Sequence, residues 1–212
     1  MENPIIIFGA KGIGLAALEI FQSNNVLVYG FLDDDTKLHG QEINAISILG
    51  STEDEGFTKL IGKKCDAFVA IENQKAKESI TEFLLETRKV MPVNGIHAKA
   101  YVSKLAEIGH GNLISAGSSI QANVKLGSHN VVNTNSVVDY DCKIGDFVQI
   151  GAGAVINSGV VIEDGAFIGS GVTIISGVTI GKGARVGAGS VVMSSVKARQ
   201  TVFGMPAVEI KN

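Results

Sequence analysis

The sequence predicts a chain of two domains, an α/β domain with a small parallel sheet followed by a parallel β-helix. Three observations lead to this prediction. Aliphatic residues recur at a spacing of six from residue 96 onward, residues 1–95 alternate strand-like and helix-like segments, and the 212 residues include 26 Gly, only 3 Pro and no Trp. Small aliphatic side chains suit a core of thin, regular β structure, and this length allows two domains that each bury a core.

Residues 96–212 carry the six-residue repeat that is typical of a parallel β-helix. Each hexad forms one side of a triangular coil, so the repeated aliphatic side chain points inward and stacks on its equivalents in neighbouring coils. The repeated positions are Ile96, Val102, Ile108, Ile114, Ile120, Leu126, Val132, Val138, Ile144, Ile150, Ile156, Ile162, Ile168, Ile174, Ile180, Val186 and Val192. A second inward position, four residues later, holds small or β-branched residues such as Val124, Ser136, Cys142, Val148, Ala154, Val160, Ala166, Val172, Val178 and Ala184.

Three hexads complete one coil, so each residue advances by about 20° around it. Glycine follows soon after many of the repeated aliphatic residues, at Gly109, Gly127, Gly145, Gly151, Gly169, Gly181 and Gly187. We expect these glycines at the corners of the coils, where the backbone is crowded or φ is positive. A short C-terminal tail follows the last repeat.

Residues 1–95 have a different rhythm. The run "PIIIFGA" reads as a buried strand, "KGIG" as a glycine turn and "LAALEIFQSN" as an amphipathic helix. A second strand, "VLVYGFLDDD", ends in three aspartates, and "DAFVAI" is a third. Helices around 52–61 and 74–89 complete the alternation, which predicts a parallel sheet. The boundary lies near "MPVNGIHAKA".

The turn from Gly9 to Gly14 is the first candidate binding site. It joins a strand to a helix, so its backbone N–H groups and the helix N-terminus could hold a phosphate or pyrophosphate. Asp33 and Asp34 end the second strand, where acidic side chains commonly accept hydrogen bonds from a ribose or base. The alternatives are tight packing for the glycines and a solvated loop for the aspartates. No Lys-Ser/Thr pair follows the glycines, which argues against an NTPase.

The second candidate site lies in the β-helix. Tyr140 and Gln149 are nine residues apart, which places them on opposite sides of one coil, so a site that contains both requires an interface between protomers. His129 precedes Gln149 by 20 residues, about one coil and roughly 5 Å away on nearly the same side. His129 therefore either borders the same cleft or is an exposed corner histidine.

Composition and charge exclude several classes of partner. The net charge is −3 and there is no run of Lys or Arg, so we expect neither nucleic acid nor an anionic membrane as a partner. The two cysteines, the lack of a secretory leader and apolar runs well below the roughly 20 residues of a membrane span predict a cytoplasmic protein. No metal-ligand spacing appears, and we expect His39 and His97 to have surface or capping roles.

The segments "IIIFGAKGIG", "FLDDD", "VVNTNSVVDYDCKIGDF" and "VFGMPA", together with the hexads, resemble the bacterial sugar acetyltransferases of the sialic-acid and bacillosamine pathways. The resemblance covers nearly the whole chain. It implies a Rossmann-like domain, residues 1–95, that binds a nucleotide sugar. It also implies a left-handed β-helix, residues 96–212, that binds acetyl-CoA, and a homotrimer with active sites between protomers. We also expect contact with another protomer to cover three apolar side chains that lie outside the inward positions, those of Val131, Val137 and Val161.

The resemblance assigns roles to particular residues. Members of the family carry a histidine as general base, then an acid, then a second histidine nine positions after the first that contacts acetyl-CoA; here these positions are Tyr140, Asp141 and Gln149. We expect Ser158 to contact acetyl-CoA as well. On the substrate side, the Gly-Ala-Ser-Gly-His-Gly turn of the family is matched from Gly9 onward, with Lys11 and Ile13 as departures. Gly12, Asp33 and Asp34 match, and we expect all of these positions to bind the substrate.

Three hypotheses about function follow. The first is acetyl transfer from acetyl-CoA to an amine, or less readily a hydroxyl, of a nucleotide-linked sugar for surface polysaccharide or glycan synthesis. The second is a catalytically weak or inactive relative that binds a sugar nucleotide or CoA as a scaffold or regulator, because both family histidines are replaced. The third is an acyltransferase that uses another acyl donor. Under the first, Tyr140 and Asp141 position the amine and His129 of a neighbouring protomer is a candidate proton acceptor.

Overall fold

The computed structural model describes residues 3–210, which divide into two compact units between Ala98 and Lys99. The sequence places the boundary after residue 95, close to this division. Among the described residues, no helix combines the length and the apolar character that crossing a membrane requires.

The first unit alternates strands and helices as predicted. Its elements are β1 (Ile5–Phe8), α1 (Ile13–Ser23), β2 (Val28–Leu32), a 3-10 helix (Thr36–Leu38), β3 (Glu42–Ile43), β4 (Ile46–Gly50), α2 (Glu55–Thr58), β5 (Asp66–Val69), α3 (Gln74–Phe83), a π-helical turn (Leu84–Arg88) and β6 (Gly95–Ile96). Helix α2 is shorter than the predicted helix around 52–61. The hairpin of β3 and β4 was not predicted.

One sheet, in the order β3-β4-β2-β1-β5, organises the first unit. All its pairs are parallel except that of β3 with β4. Strand β1 lies between β2 and β5 and all four of its residues are buried, which explains its unbroken apolar run. Because the strands are parallel, the carboxyl ends of β1, β2 and β4 meet at one edge, next to the glycine turn and the aspartates.

The second unit is a β-helix with three parallel faces. Face A contains Tyr101–Val102, Ser119–Ile120, Val137–Val138, Val155–Ile156, Thr173–Ile174 and Val191–Val192. Face B contains Glu107–Ile108, Lys125–Leu126, Lys143–Ile144, Val161–Ile162 and Thr179–Ile180. Face C contains Leu113–Ile114, Val131–Val132, Gln149–Ile150, Phe167–Ile168, Arg185–Val186 and Thr201–Gly204, and Ala207–Glu209 pairs antiparallel with the last of these.

The predicted inward positions form the core of the β-helix. From Ile114 to Val192 every repeated aliphatic side chain is buried, and the second inward positions from Val124 to Ala184 are buried as well. Val102 and Ile108, in the first coil of this unit, are half-buried. Val131 is also buried, which contradicts the expectation that it needs cover from another chain, whereas Val137 and Val161 are half-buried.

Four residues form each corner between successive faces. The first is restricted by the space available for a side chain, and the third by its backbone conformation. The first is often glycine because the next coil is too close for a side chain; a Cβ at Gly127 would lie 2.7 Å from the Gly145 carbonyl oxygen. The third residue has a positive φ along the β-helix, from Gly111 to Gly189. The glycines predicted to relieve crowding or a positive φ therefore relieve crowding, and another set occupies the left-handed positions.

Candidate functional site

The glycine turn of the first unit leads from β1 into α1 and lies against the end of β5. Gly9 has φ of 99°, and a Cβ there would approach the Ala70 carbonyl oxygen to 2.8 Å. Gly12 is the N-cap residue of α1, has φ of 47° and provides no side-chain cap for the helix. Tight packing therefore accounts for Gly9. Lys11 and Gly12 are exposed at the surface, and a Cβ at Gly12 would overlap the Glu72 carboxylate. Ile13 is half-buried and begins the helix.

Asp33 connects the end of β2 to the glycine turn. Its Oδ2 accepts a hydrogen bond from the Ala10 backbone N–H at 2.8 Å, and its Oδ1 accepts one from the Asp35 N–H at 2.9 Å. The side chain is half-buried, so the solvated-loop interpretation does not describe it. The ring Nε2 of His39 lies 2.7 Å from the Asp33 carbonyl oxygen, which gives this histidine a local structural partner. Asp33 therefore orders the turn before any ligand arrives.

Asp34 is exposed and faces the end of β4. Its Oδ1 accepts hydrogen bonds from the Thr52 backbone N–H and the Thr52 hydroxyl, both at 2.9 Å. A cavity of about 490 Å³ adjoins this pair, within the size range of small-molecule pockets. Its walls are formed by Asp34, Thr52, Glu53, Glu55, Ala76, Ser79, Ile80 and Phe83.

Lys11 forms an ion pair with Asp35 beside the glycine turn. Its Nζ donates to Asp35 Oδ2 at 2.7 Å. The hydrogen bond and the charge of Asp35 raise the pKa of Lys11, and the Lys11 ammonium lowers the pKa of Asp35. Both groups are accessible to solvent, so this pair places one positive and one negative charge at the surface of the turn.

Tyr140 and Asp141 are the second and third residues of a corner between faces A and B. Tyr140 is 52% exposed, and its carbonyl oxygen accepts a hydrogen bond from the Gly159 N–H in the next coil. Asp141 is exposed, has φ of 60°, and accepts a hydrogen bond from Asn123 Nδ2 at 3.2 Å. Ser158 occupies the position of Tyr140 one coil later. One corner therefore brings Tyr140, Asp141 and Ser158 together.

Further residues of this corner were not identified from the sequence. Asn123 lies 18 residues before Asp141, and Ser176 lies 18 residues after Ser158, whose Oγ is 3.2 Å from the Ser176 Oγ. The 18-residue period itself is the signal that could have found both, because residues one period apart occupy the same corner in adjacent coils.

Gln149 lies on face C, with its side chain exposed. Tyr140 lies at the corner between faces A and B, so within one protomer the two side chains are on different sides of the β-helix. This arrangement agrees with their nine-residue separation. The structure therefore groups Ser158 with Tyr140 and Asp141 but does not bring Gln149 to them within the chain.

His129 is buried at a corner between faces B and C, with 8% of its surface exposed. Its ring stacks on Phe147 in the next coil, with ring centroids 4.8 Å apart and planes inclined by 21°. The expectation of an exposed corner histidine is therefore wrong. His97, for which we expected a surface or capping role, is buried as well, so the surface role is wrong. The spacing of residues predicts their angle around the coil but not their contacts, so it did not predict that the Phe147 ring covers His129.

Cys142 occupies the inward position at the corner of Tyr140 and Asp141. Its Sγ lies 3.1 Å from the Asn157 carbonyl oxygen, and burial raises the pKa of the thiol to about 11. Within residues 3–210, no three His, Cys, Asp or Glu side chains are grouped so that they could hold a metal ion.

Comparisons with known proteins match both units. The profile of the PglD N-terminal domain matches residues 4–84, and the bacterial transferase hexapeptide profile of six repeats matches residues 141–176 and 159–194. No curated protein sequence matches the chain.

Three solved structures are similar over nearly the whole chain. WeeI from Acinetobacter baumannii is 33% identical, with a TM-score of 0.85, and the match covers 98% of this chain and 99% of that chain. The acetyltransferase domain of PglB from Neisseria gonorrhoeae, in complex with acetyl coenzyme A, is 28% identical, with a TM-score of 0.89 and coverage of 99% and 100%. Perosamine N-acetyltransferase from Caulobacter crescentus, in complex with CoA and GDP-perosamine, is 27% identical, with a TM-score of 0.89 and coverage of 99% and 97%.

The perosamine enzyme has also been solved with a substituted histidine. In two of its structures one histidine is replaced by asparagine or alanine, and both contain CoA and GDP-perosamine. The matches confirm the predicted combination of a Rossmann-like domain and a left-handed β-helix. With both profiles matched and a relative one-third identical over its whole length, the chain belongs to the hexapeptide-repeat family of bacterial sugar acetyltransferases.

Proposed function

We propose that this protein transfers the acetyl group of acetyl-CoA to an amino group of a nucleotide-linked sugar, for surface polysaccharide or glycan synthesis. The observation that carries the proposal is the similarity of the whole chain, both units included, to proteins whose structures contain acetyl-CoA, or CoA with GDP-perosamine. The exposed corner of Tyr140 and Asp141 provides polar groups suited to an amine.

The first unit binds the nucleotide sugar in this proposal. The exposed backbone of Gly12 and the N-terminus of α1 suit an anionic diphosphate. Lys11, which pairs with Asp35 at the surface, can turn its ammonium group to the diphosphate instead. Asp33 contributes by fixing the turn, because its carboxylate already accepts hydrogen bonds from two backbone N–H groups. Asp34 borders the cavity, and its Oδ2, which lies 3.1 Å from the Thr52 hydroxyl, has a further lone pair to accept a hydrogen bond from the nucleotide.

The second unit binds acetyl-CoA, with Gln149 and Ser158 as proposed contacts. A site that contains both Gln149 and Tyr140 requires two protomers, because they lie on different sides of the β-helix. We therefore propose a homotrimer. The half-buried Val137 and its neighbour Val155 on face A support it, since apolar side chains on an outer face are stabilised by cover.

The reaction needs a neutral amine close to the thioester. The amine nitrogen attacks the carbonyl carbon, an N–C bond forms as the C–S bond breaks, and the proton lost by nitrogen ends on the CoA sulfur or in solvent. Tyr140 and Asp141 hold the amine by hydrogen bonds, and alignment of the two reactants supplies a large share of the acceleration. A histidine base is typically worth about 10² to 10⁴ in rate. We expect slow turnover that rises with pH as the amine deprotonates.

The proton acceptor is proposed to be His129 of a neighbouring protomer or solvent. Burial of the His129 ring beneath Phe147 favours solvent. His129→Asn distinguishes the two, since asparagine tolerates the left-handed backbone of this position (φ of 62°). Turnover that falls at least tenfold assigns the proton to His129, and unchanged turnover assigns it to solvent.

Thiol release from acetyl-CoA with a panel of UDP-, GDP- and CMP-linked amino sugars tests the proposed function. We expect the parent protein to turn over at least one of them, and Tyr140→His to be faster. Tyr29→His is the matched control, because Tyr29 is exposed on β2 of the first unit and belongs to neither proposed site. Calorimetry measures acetyl-CoA binding to the same proteins. If the parent and Tyr140→His bind acetyl-CoA but release no thiol, the proposed acetyl transfer is refuted and the hypothesis of a binding scaffold is favoured.

A further inference from the structure

The third position of each corner is glycine along most of the β-helix, but five consecutive corners, from residue 123 to residue 147, have another residue there. We call these five corners the band. Glycine occupies the third position at Gly111 and Gly117 and again at every turn from Gly153 to Gly189. Between these, the same position is held by Asn123, His129, Asn135, Asp141 and Phe147, with φ between 56° and 62°. Among the corners with a positive φ, side chains therefore occupy consecutive corners in this band, and Arg199, with φ of 61°, is a single case outside it.

A side chain at such a position has an energetic cost. The left-handed conformation costs an L-residue roughly 1 kcal/mol or more relative to glycine, less for Asn and Asp and more for a bulky residue such as Phe147. The glycines on both sides of the band show that the corner itself needs no side chain. Residues kept in strained conformations commonly serve a function, and the band includes the proposed site residue Asp141.

Asn123 and Asp141 are one period apart, and their side chains meet between adjacent coils. Asn123 Nδ2 donates to Asp141 Oδ1 at 3.2 Å. This bond restrains the carboxylate and does not use Oδ2, which remains free to face a ligand. The Asp141 backbone is fixed as well, because its N–H donates to the Ala122 carbonyl oxygen at 3.1 Å.

We infer that Asn123 is a positioning residue that orients the Asp141 carboxylate toward the sugar amine. The inference rests on the proposed function of the corner of Tyr140 and Asp141. Asn123 acts through Asp141, so its effect depends on the presence of that carboxylate. Its removal slows the chemical step and leaves the binding of acetyl-CoA unchanged.

Glycine substitution isolates the side chain from the backbone. Asn123→Gly removes the amide donor and places glycine where φ is 59°, a conformation that glycine adopts without strain. Asn135→Gly is the matched control, because Asn135 has φ of 58° at the equivalent position of a corner between faces C and A. Melting temperatures of both variants check that the fold is retained.

Steady-state kinetics of thiol release, with an amino-sugar nucleotide that the parent accepts, provide the test. We expect Asn123→Gly to lower kcat by about threefold to tenfold, the rate equivalent of one hydrogen bond, with KM for acetyl-CoA unchanged. Asn135→Gly should stay within about twofold of the parent. The double variant Asn123→Gly with Asp141→Gly should be no slower than Asp141→Gly alone, because the first residue acts through the second.

The outcomes separate the inference from the proposed function. An active parent whose kcat survives Asn123→Gly overturns the inference alone. The inference is also overturned if Asn135→Gly lowers kcat as much as Asn123→Gly does. It is overturned as well if the double variant loses the full effect of Asn123→Gly on kcat in addition to that of Asp141→Gly. A parent that releases no thiol with any amino-sugar nucleotide refutes the proposed function, and the inference with it.

Discussion

Replacement of Asp33 by asparagine should destabilise the first unit, whereas the same change at Asp34 should not. Asp33 accepts one backbone N–H on each carboxylate oxygen, from Ala10 at 2.8 Å and from Asp35 at 2.9 Å. Asparagine has one acceptor oxygen, so its NH₂ group would face an N–H donor. The loss of one charge-assisted hydrogen bond corresponds to about 1.5–3 kcal/mol of unfolding free energy.

Asp34 provides the matched comparison because its partner is different. Its Oδ1 accepts both the backbone N–H and the hydroxyl of Thr52 at 2.9 Å. An asparagine oxygen can keep the backbone bond while its NH₂ donates to the hydroxyl oxygen, which accepts as well as donates. We therefore expect Asp34→Asn to change the unfolding free energy by less than about 0.5 kcal/mol.

Urea unfolding followed by circular dichroism at the helical minimum measures both variants. Helices α1, α2 and α3 all lie in the first unit, so the signal reports on that unit; the chain has no Trp for fluorescence. If the turn binds the diphosphate, nucleotide-sugar affinity should also fall at least tenfold in Asp33→Asn. Equal unfolding free energies for the two variants would refute the claim that Asp33 orders the turn.

Three further predictions concern stability and reactivity. Burial of Lys77 lowers its pKa from 10.5 to about 8, so between these values the unfolded chain binds more protons and the lysine adds stability as pH rises, by about 3 kcal/mol. The buried Cys142 thiol acts in the opposite direction above pH 9, but equally in the parent and in Lys77→Met, so in urea unfolding from pH 8 to 10.5 the parent should gain about 3 kcal/mol relative to Lys77→Met, and parallel pH profiles would contradict the shift. The buried Cys142 thiol, with its pKa raised to about 11, should resist a disulfide reagent at pH 8 until urea unfolds the chain, and rapid labelling of the native protein would contradict its burial. Gly151→Ala should lower the unfolding free energy by more than about 3 kcal/mol, because its Cβ would overlap the Ser170 backbone. Gly153→Ala should lower it by about 1 kcal/mol, because Gly153 has φ of 67° but open space around it. Similar melting temperatures for the two variants would show that crowding is not the reason for glycine at the first corner position.

The sequence predicts the β-helix well because one period controls both packing and position. An aliphatic residue at every sixth position must be buried for the coils to stack, so the inward residues and the three faces follow from spacing alone. The same arithmetic places Tyr140 and Gln149 on different sides. It does not reveal which neighbour covers a residue, which is why the burial of His129 beneath Phe147 was missed.

The first unit was less predictable in detail because its contacts join distant segments. The carboxylate of Asp33 reaches the Ala10 N–H, 23 residues away, only because β1 and β2 are neighbours in a parallel sheet. The hairpin of β3 and β4 was missed because β3 has two residues and gives no periodic signal. In the second unit, the left-handed backbone of Phe147 is equally hidden, since phenylalanine is a residue type that rarely adopts a positive φ.

The stacking of chemically equivalent corners limits how a β-helix of this kind can change length. An insertion or deletion of 18 residues adds or removes a whole layer, about 4.8 Å thick, and leaves every remaining residue on its own face. A change of 6 or 12 residues rotates all later faces by one or two sides of the triangle, which would carry Ser158 away from the corner of Tyr140. Coils beyond the site can therefore be gained or lost in whole turns, while partial turns between site residues would dismantle the site even though every strand still paired.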